Sequence, residues 1–316
     1  MGSRVLVSFL LLAAVLAFGQ QDQPASALTP DKTTADTPAQ AFLLNLKPDA
    51  NGNLSQEQMQ QLLRVVADKD MENDKRLRDY TYIERDEEHK LDAKGQVKST
   101  EAKTYEVMEL YGEQVQRLIE KDDKPLDTKD AAKEEEKIQK ILDKRKNESE
   151  DERRKREEKE EKEREEDRKF VSEVADAYNF KLVGSDPVGG RDAWVIEGEP
   201  RPDFVPHLKE SKILPKFHGR VWIDKSDLQL SKMDVECLDT ISWGLFLARF
   251  HKGSRLMLEQ TRVNEEVWLP HQVTAKIDVR LALLKNFNVD VEQTFRDYKK
   301  FRATSRILAV EDVQKK

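Results

Sequence analysis

His271-Gln272-Val273-Thr274-Ala275-Lys276-Ile277-Asp278-Val279-Arg280-Leu281 decides the fold class of this 316-residue chain. His271, Val273, Ala275, Ile277, Val279, Leu281 and Leu283 fall in one phase, with Gln272, Thr274, Lys276, Asp278 and Arg280 in the other. A period of two sustained this long is that of a β-strand with one buried and one wet face. Phe287, Val289, Val291 and Phe295 repeat it against Asn288, Asp290, Glu292 and Arg296. Parallel strands are buried on both faces and lose the alternation, so the pair reads as part of an antiparallel meander.

The same signal extends upstream. Phe217 to Asp224 and Leu228 to Glu236 flank Lys225-Ser226-Asp227 as a hairpin, and Lys181 to Gly184 and Asp192 to Glu197 flank Gly189-Gly190. Leu245 to His251 and Arg255 to Val263 are further strands, and Arg201 to Leu214, followed by Pro215, is a loop or short helix. Nearer the N-terminus, Tyr80 to Arg85 and Lys103 to Leu110 are separated by the turn residues Asp92-Ala93-Lys94-Gly95. Gln114 to Ile119 is a third strand there. Ser55 with Gln58 forms a capping box ahead of Met59, Leu62, Leu63 and Val66 at helical spacing. Asp49-Ala50-Asn51-Gly52-Asn53 superficially matches a calcium loop, but Leu54 stands where the EF-hand turn needs glycine and position 60 is Gln60. It reads as a turn before the helix.

Charged residues make up 37% of the chain, against about 25% in ordinary globular domains. The excess is concentrated between Thr128 and Lys169, where Ile138, Ile141 and Leu142 are the few large apolar residues. Glu158–Lys162, Glu160–Arg164, Asp151–Lys155 and Glu152–Arg156 are spaced i,i+4 with the acid first, the better order for a helix. Sustained apolar heptads are absent, so the segment reads as a solvated helix, projecting from the globular part or lying across it. Phe170, Val171, Val174 and Tyr178 make its end amphipathic and able to dock.

Arg4, the apolar run Val5 to Leu16, and Ala17 and Gly19 before Gln20 read as a secretory signal peptide. Ala25-Ser26-Ala27 offers a second cleavage site. No later run reaches the ~20 apolar residues of a spanning helix, so no integral membrane segment is expected in the mature chain. The resulting organisation is a signal peptide over 1–19 (alternatively 1–27), then a flexible leader and turn over 20–54. A helix and first strands follow over 55–120, the charged helical insertion over 121–177, the main sheet over 178–302 and a tail over 303–316.

Gly219-Arg220-Val221-Trp222-Ile223-Asp224, a short turn, and Leu228-Gln229-Leu230-Ser231-Lys232-Met233 resemble the G-x-V-W-I-D hairpin of LolA-like outer-membrane lipoprotein-sorting proteins. Glu266-Val267-Trp268-Leu269-Pro270, leading into the long alternating strand, is similar to that family's W-L-P segment. Lys94-Gly95-Gln96-Val97 and Tyr105-Glu106-Val107 also resemble the group. The likeness covers mainly residues 178–302, and more loosely 55–120. It implies an α+β fold: a curved, incompletely closed antiparallel β-sheet (a half-barrel) with packed helices, here carrying the charged insertion. It further implies a concave apolar cavity that shields the acyl chains of a lipid or acylated protein. On that reading the lining candidates are Val221, Ile223, Val273, Ile277, Val279, Leu281, Phe287, Val289 and Val291, with Trp222, Trp243 and Trp268 at the rim. The setting is the periplasm of a Gram-negative-type cell, or the exterior. The alternative is a non-catalytic periplasmic scaffold or lipid-sensing module that contacts a protein partner through residues 131–168.

An enzyme is not expected. The five histidines have no metal-ligand spacing, and neither G-x-S-x-G nor a phosphate-cradling glycine loop occurs. No cofactor or metal is expected. The single cysteine, Cys237, lies in the alternating run Met233-Asp234-Val235-Glu236-Cys237 and reads as an inert thiol facing the sheet. A net charge of -7 argues against nucleic acid, which needs a dominant basic surface.

Overall fold

The computed structural model describes residues 47–300, apart from 93, 111–112, 244–247 and 282–284. The expected signal peptide, most of the leader and the C-terminal tail lie outside the described residues. Among the described residues the alternating segments become thirteen strands. The N-terminal group is β1 (Tyr80–Leu91), β2 (Val97–Leu110), β3 (Glu113–Lys121) and β4 (Lys124–Pro125). After the helices come β5 (Tyr178–Val188), β6 (Arg191–Pro200), β7 (Phe217–Asp224) and β8 (Leu230–Cys237). The last five are β9 (Ile241–Trp243), β10 (Ala248–Phe250), β11 (Arg255–Val263), β12 (Val267–Leu281) and β13 (Lys285–Lys300).

Eleven of them form one path, β4-β3-β2-β1-β13-β12-β11-β8-β7-β6-β5, with β9 and β10 appended beside β12. Every pairing is antiparallel. The outermost strands β4 and β5 do not pair with each other, so the sheet is a curved half-barrel, as the alternation and the resemblance implied. The long β1–β13 ladder, from Tyr80↔Lys300 to Leu91↔Asn288, joins the N-terminal strands to the C-terminal ones in a single sheet.

Helix α1 (Gln56–Leu77) begins at the expected capping box: the Gln58 N–H donates to Ser55 Oγ at 3.1 Å and the Ser55 N–H to Gln58 Oε1 at 2.9 Å. Asp49 Oδ1 closes the preceding turn by accepting from the N–H groups of Asn51 and Asn53. Asn53 then bridges to Lys181, covering part of the β5 edge. Spaced three or four apart, Met59, Leu62 and Val66 form one buried stripe. It packs with Ile196, Ile223, Met233, Leu258 and Val273 from the concave side of the sheet. Farther along α1, Asn73 donates to Gln229 Oε1 at 2.9 Å and accepts from the Trp268 N–H at 3.2 Å, tying the helix to β12.

The charged insertion is two helices, α2 (Thr128–Lys146) and α3 (Glu150–Ala177), rather than one. The break falls at Asn147, after which Ser149 and Glu152 form a second capping box. At the corner, Glu148 is held by Arg145 at 2.8 Å and by Arg156 at 3.2 Å. Together the helices carry the chain from one unpaired edge of the sheet, β4, to the other, β5. The 28 residues of α3 reach about 42 Å. Its last turns dock beside α1 through Phe170, Ala175 and Ala177, and Gln60 donates to Asp176 there. Helix α2 lies along β3 with Ile138 buried. Its side chains occupy ladder positions of that strand: Glu134 accepts from the Leu118 N–H at 3.3 Å and Lys137 donates to the Gln116 carbonyl at 3.4 Å.

One end of the sheet is pinned by charges. Asp224, only 1% exposed, accepts from Arg191 Nε at 2.8 Å and Nη2 at 3.1 Å. Its Oδ1 also receives the Ser226 and Asp227 N–H groups, which shapes the β7–β8 turn. Asp227 in turn holds Arg191, Arg262 and the Trp268 indole N–H, so three hairpins meet at this point.

Candidate functional site

On the concave face, cross-strand partners define rows that run across the strands. The row Met233, Leu258, Val273 is buried in the core that includes the α1 stripe. Two residues farther along each strand the next row is Val235 on β8, Leu256 on β11, Ala275 on β12 and Val291 on β13. All four are half-buried, as are Ile277 and its partner Val289. With strands about 4.8 Å apart, the row from Val235 to Val291 is about 14 Å long, and about 19 Å to its continuation at Glu88 on β1. This is a continuous apolar strip on the inner face, with side chains that retain exposed surface.

On β1 the inner face changes character. The phase that places Tyr80 and Tyr82 in the core continues with Glu84 and Asp86. Glu84 is 6% exposed, opposite Phe295 on β13 and Tyr105 on β2. Gln116 Nε2 donates to Glu84 Oε2 at 3.0 Å. Gln293 Nε2 reaches both acids, Asp86 at 2.9 Å and Glu84 at 3.4 Å. Burial, followed by the neighbouring Asp86 charge, pushes the Glu84 carboxyl up to about 8. Burial raises Asp86 as well, against the pull of Gln293, Glu84 and the Lys103 ammonium. Two carboxyls in this proximity favour holding a proton between them.

The lining candidates separate into three groups. Ile223 and Val273 are core residues, 1% and 2% exposed, and Val221 packs against that core. Ile277, Val289 and Val291 lie on the half-buried strip. Val279, Leu281 and Phe287 belong to the same strand pair, with Val279 opposite Phe287, but their side chains lie outside the described residues. The Trp243 side chain also lies outside them. Trp222 sits on the convex face in a small cluster with Val188, Ala193 and Val195, its indole N–H donating to Asp186 at 3.2 Å. Trp268 is 5% exposed beneath the Arg191 guanidinium, 5.4 Å from its ring centre.

Sequence reasoning missed Val235, Leu256, Glu84 and Asp86. Tyr80-x-Tyr82-x-Glu84-x-Asp86 held the signal, because it places two carboxyls in the phase of two core aromatics. Elsewhere, a cleft of about 190 Å³ lies between α1 and α3, lined by Gln60, Arg64, Val171 and Ser172. A convex-face groove of about 210 Å³ is crossed by the ion pairs Arg220–Glu197 and Arg255–Asp234. Among the described residues no group of three or more His, Cys, Asp or Glu side chains is placed to hold a metal ion, and no helix is long and apolar enough to cross a membrane.

No family model matches the chain, and no curated protein matches it. Among solved structures, the chain is similar to an outer membrane lipoprotein-sorting protein domain from Vibrio parahaemolyticus, at 11% identity and a TM-score of 0.33 over 81% of this chain and 99% of that one. It is similar to a DUF1329 family protein from Desulfovibrio piger at 10% identity and a TM-score of 0.30, over 80% and 98% of the two chains. A LolA superfamily protein from Nitrosomonas europaea is similar at 7% identity and a TM-score of 0.27, over 80% and 97%.

Proposed function

We propose that this protein is an exported, non-catalytic carrier that shields an acyl chain of a lipid or acylated protein against the concave face of its sheet, in the periplasm of a Gram-negative-type cell. The observation that carries this reading is the strip Val235, Leu256, Ala275 and Val291 with Ile277 and Val289, continuous across four strands and half-buried. Covering hydrocarbon there is worth about 0.8 kcal/mol per CH₂ taken out of water, so a chain lying along the strip is held reversibly. Placing a charge in mid-strip should block it, since an unpaired charge against hydrocarbon is strongly disfavoured.

The test is native mass spectrometry of the full chain purified from its own envelope, together with titration of a fluorescent acyl probe. Bound lipid or acylated protein is expected in the wild type, and Leu256→Asp should lower probe affinity at least about tenfold while the thermal transition stays cooperative. A chain that arrives empty and binds no acyl probe at any concentration overturns the reading.

A further inference from the structure

On its β1 side the apolar strip meets charge: Glu88, opposite Val291, pairs at 3.3 Å with Lys90, opposite Val289, and both side chains are exposed. Glu88 continues the row beyond Val291, and the adjoining row places Gln293 opposite Asp86, with Glu84 one position farther along the same face. Gln293 donates to both carboxyls and Gln116 to Glu84, and these amide donors are uncharged. The groups facing the pair can be named element by element. Strand β1 contributes Tyr82, β2 contributes Lys103 and Tyr105, β3 contributes Gln116, and β13 contributes Gln293 and Tyr298. From α2, Glu134 acts on Tyr105. Lys103 bears on Asp86, with its own ammonium engaged by Glu101 at 2.7 Å, and farther along the same face of β1 Lys90 pairs with Glu88 and Glu101. Among the described residues no cation is paired with Glu84, and a second negative charge on the pair would be met by tyrosines, another glutamate and hydrocarbon.

We propose that acyl-chain binding on the concave face is proton-dependent, with a proton shared between Glu84 and Asp86 limiting the charge on the buried part of β1 beside the strip and its loss releasing the chain. This rests on the carrier reading above and adds a means of regulation to it. With the proton in place, the pair is hydrogen-bonded within itself and to two amides, and hydrocarbon can lie beside it. Once the proton leaves, two adjacent carboxylates draw water in beside Gln293, between the core row and the apolar strip, where hydrocarbon would otherwise lie. Burial holds the proton into the neutral range, so the loss falls on the alkaline side of neutrality.

The experiment is a binding titration of the full chain with a fluorescent monoacylglycerol, which carries no charge that titrates over the range used. In the wild type, affinity should fall about tenfold or more between about pH 6 and about pH 9, and Glu84→Gln should hold it constant within about twofold. Asp86→Asn is the second variant and should likewise flatten the profile, which keeps the test decisive should one substitution disturb folding. Wild-type binding that persists unchanged across the range overturns the inference and leaves the carrier reading standing. A fall that survives in both variants also overturns it. Absence of binding at every pH overturns the carrier reading, and this inference with it.

Discussion

Replacing Asp224 by alanine should destabilise the protein by about 3–5 kcal/mol, the range for stripping one partner from a buried charge pair. The carboxylate is 1% exposed and receives four hydrogen bonds, two from Arg191 and two from turn N–H groups. Truncation leaves the Arg191 guanidinium over the Trp268 ring with Asp227 at 3.0 Å as its remaining acid. That surviving contact places the expected cost toward the lower end, while each orphaned N–H adds about 1 kcal/mol where water cannot reach it. For a chain of this size, about 2–4 °C per kcal/mol converts the loss to a fall in Tm of roughly 6–20 °C. Urea unfolding followed by tryptophan fluorescence should show a lower midpoint, and differential scanning calorimetry the lower Tm. Asp224→Asn keeps an acceptor for the turn and removes the charge, so it should lie between wild type and alanine. An alanine variant within about 1 kcal/mol of wild type would refute the reasoning, as would an asparagine variant no better than alanine.

The carboxyl pair predicts a second effect, on stability rather than binding. Glu84 is raised in the folded state, so it contributes most below the ordinary glutamate value of 4.5, and that contribution is lost as pH climbs toward about 8. The ceiling is about 1.4 kcal/mol for each pH unit crossed, and Glu84→Gln should flatten this decline in urea midpoints measured across the window. A decline of equal steepness in the variant would show that other groups cause it. Cys237 is fully buried, its Sγ lies 2.9 Å from the Asp239 carbonyl, and burial pushes its thiol up. It should resist thiol reagents at neutral pH and react fully in denaturant; stoichiometric labelling of the folded chain would contradict this placement.

The strands were legible wherever one face is buried and the other wet. The runs Val273 to Leu281 and Phe287 to Phe295 fall within β12 and β13, and the hairpins around Gly189-Gly190 and Lys225 to Asp227 form as their turn residues dictate. Of the expected strand Leu245 to His251, Ala248–Phe250 is β10, while 245–247 lie outside the described residues. The β1–β13 pairing was not legible, because no local signal reports which distant strand an alternating segment will meet. The break in the charged insertion was present in Ser149-x-x-Glu152, yet the surrounding uniform charge masked it. Core and strip residues were equally hard to separate: Val273 and Val291 share one phase and one residue type, and the position of α1 distinguishes them.

Helix α2 has a consequence that reaches beyond its own stability. An open antiparallel sheet ends in strands whose free peptide groups invite another molecule's backbone, a route to fibrous association. On β3, Glu134 and Lys137 act as stand-ins for a neighbouring strand, filling an N–H and a carbonyl with side chains that cannot propagate the ladder. The charged insertion therefore serves as a terminator for the sheet. Excising residues 131–168 would remove it along with any partner-binding arm, and the shortened protein would be expected to assemble through β3.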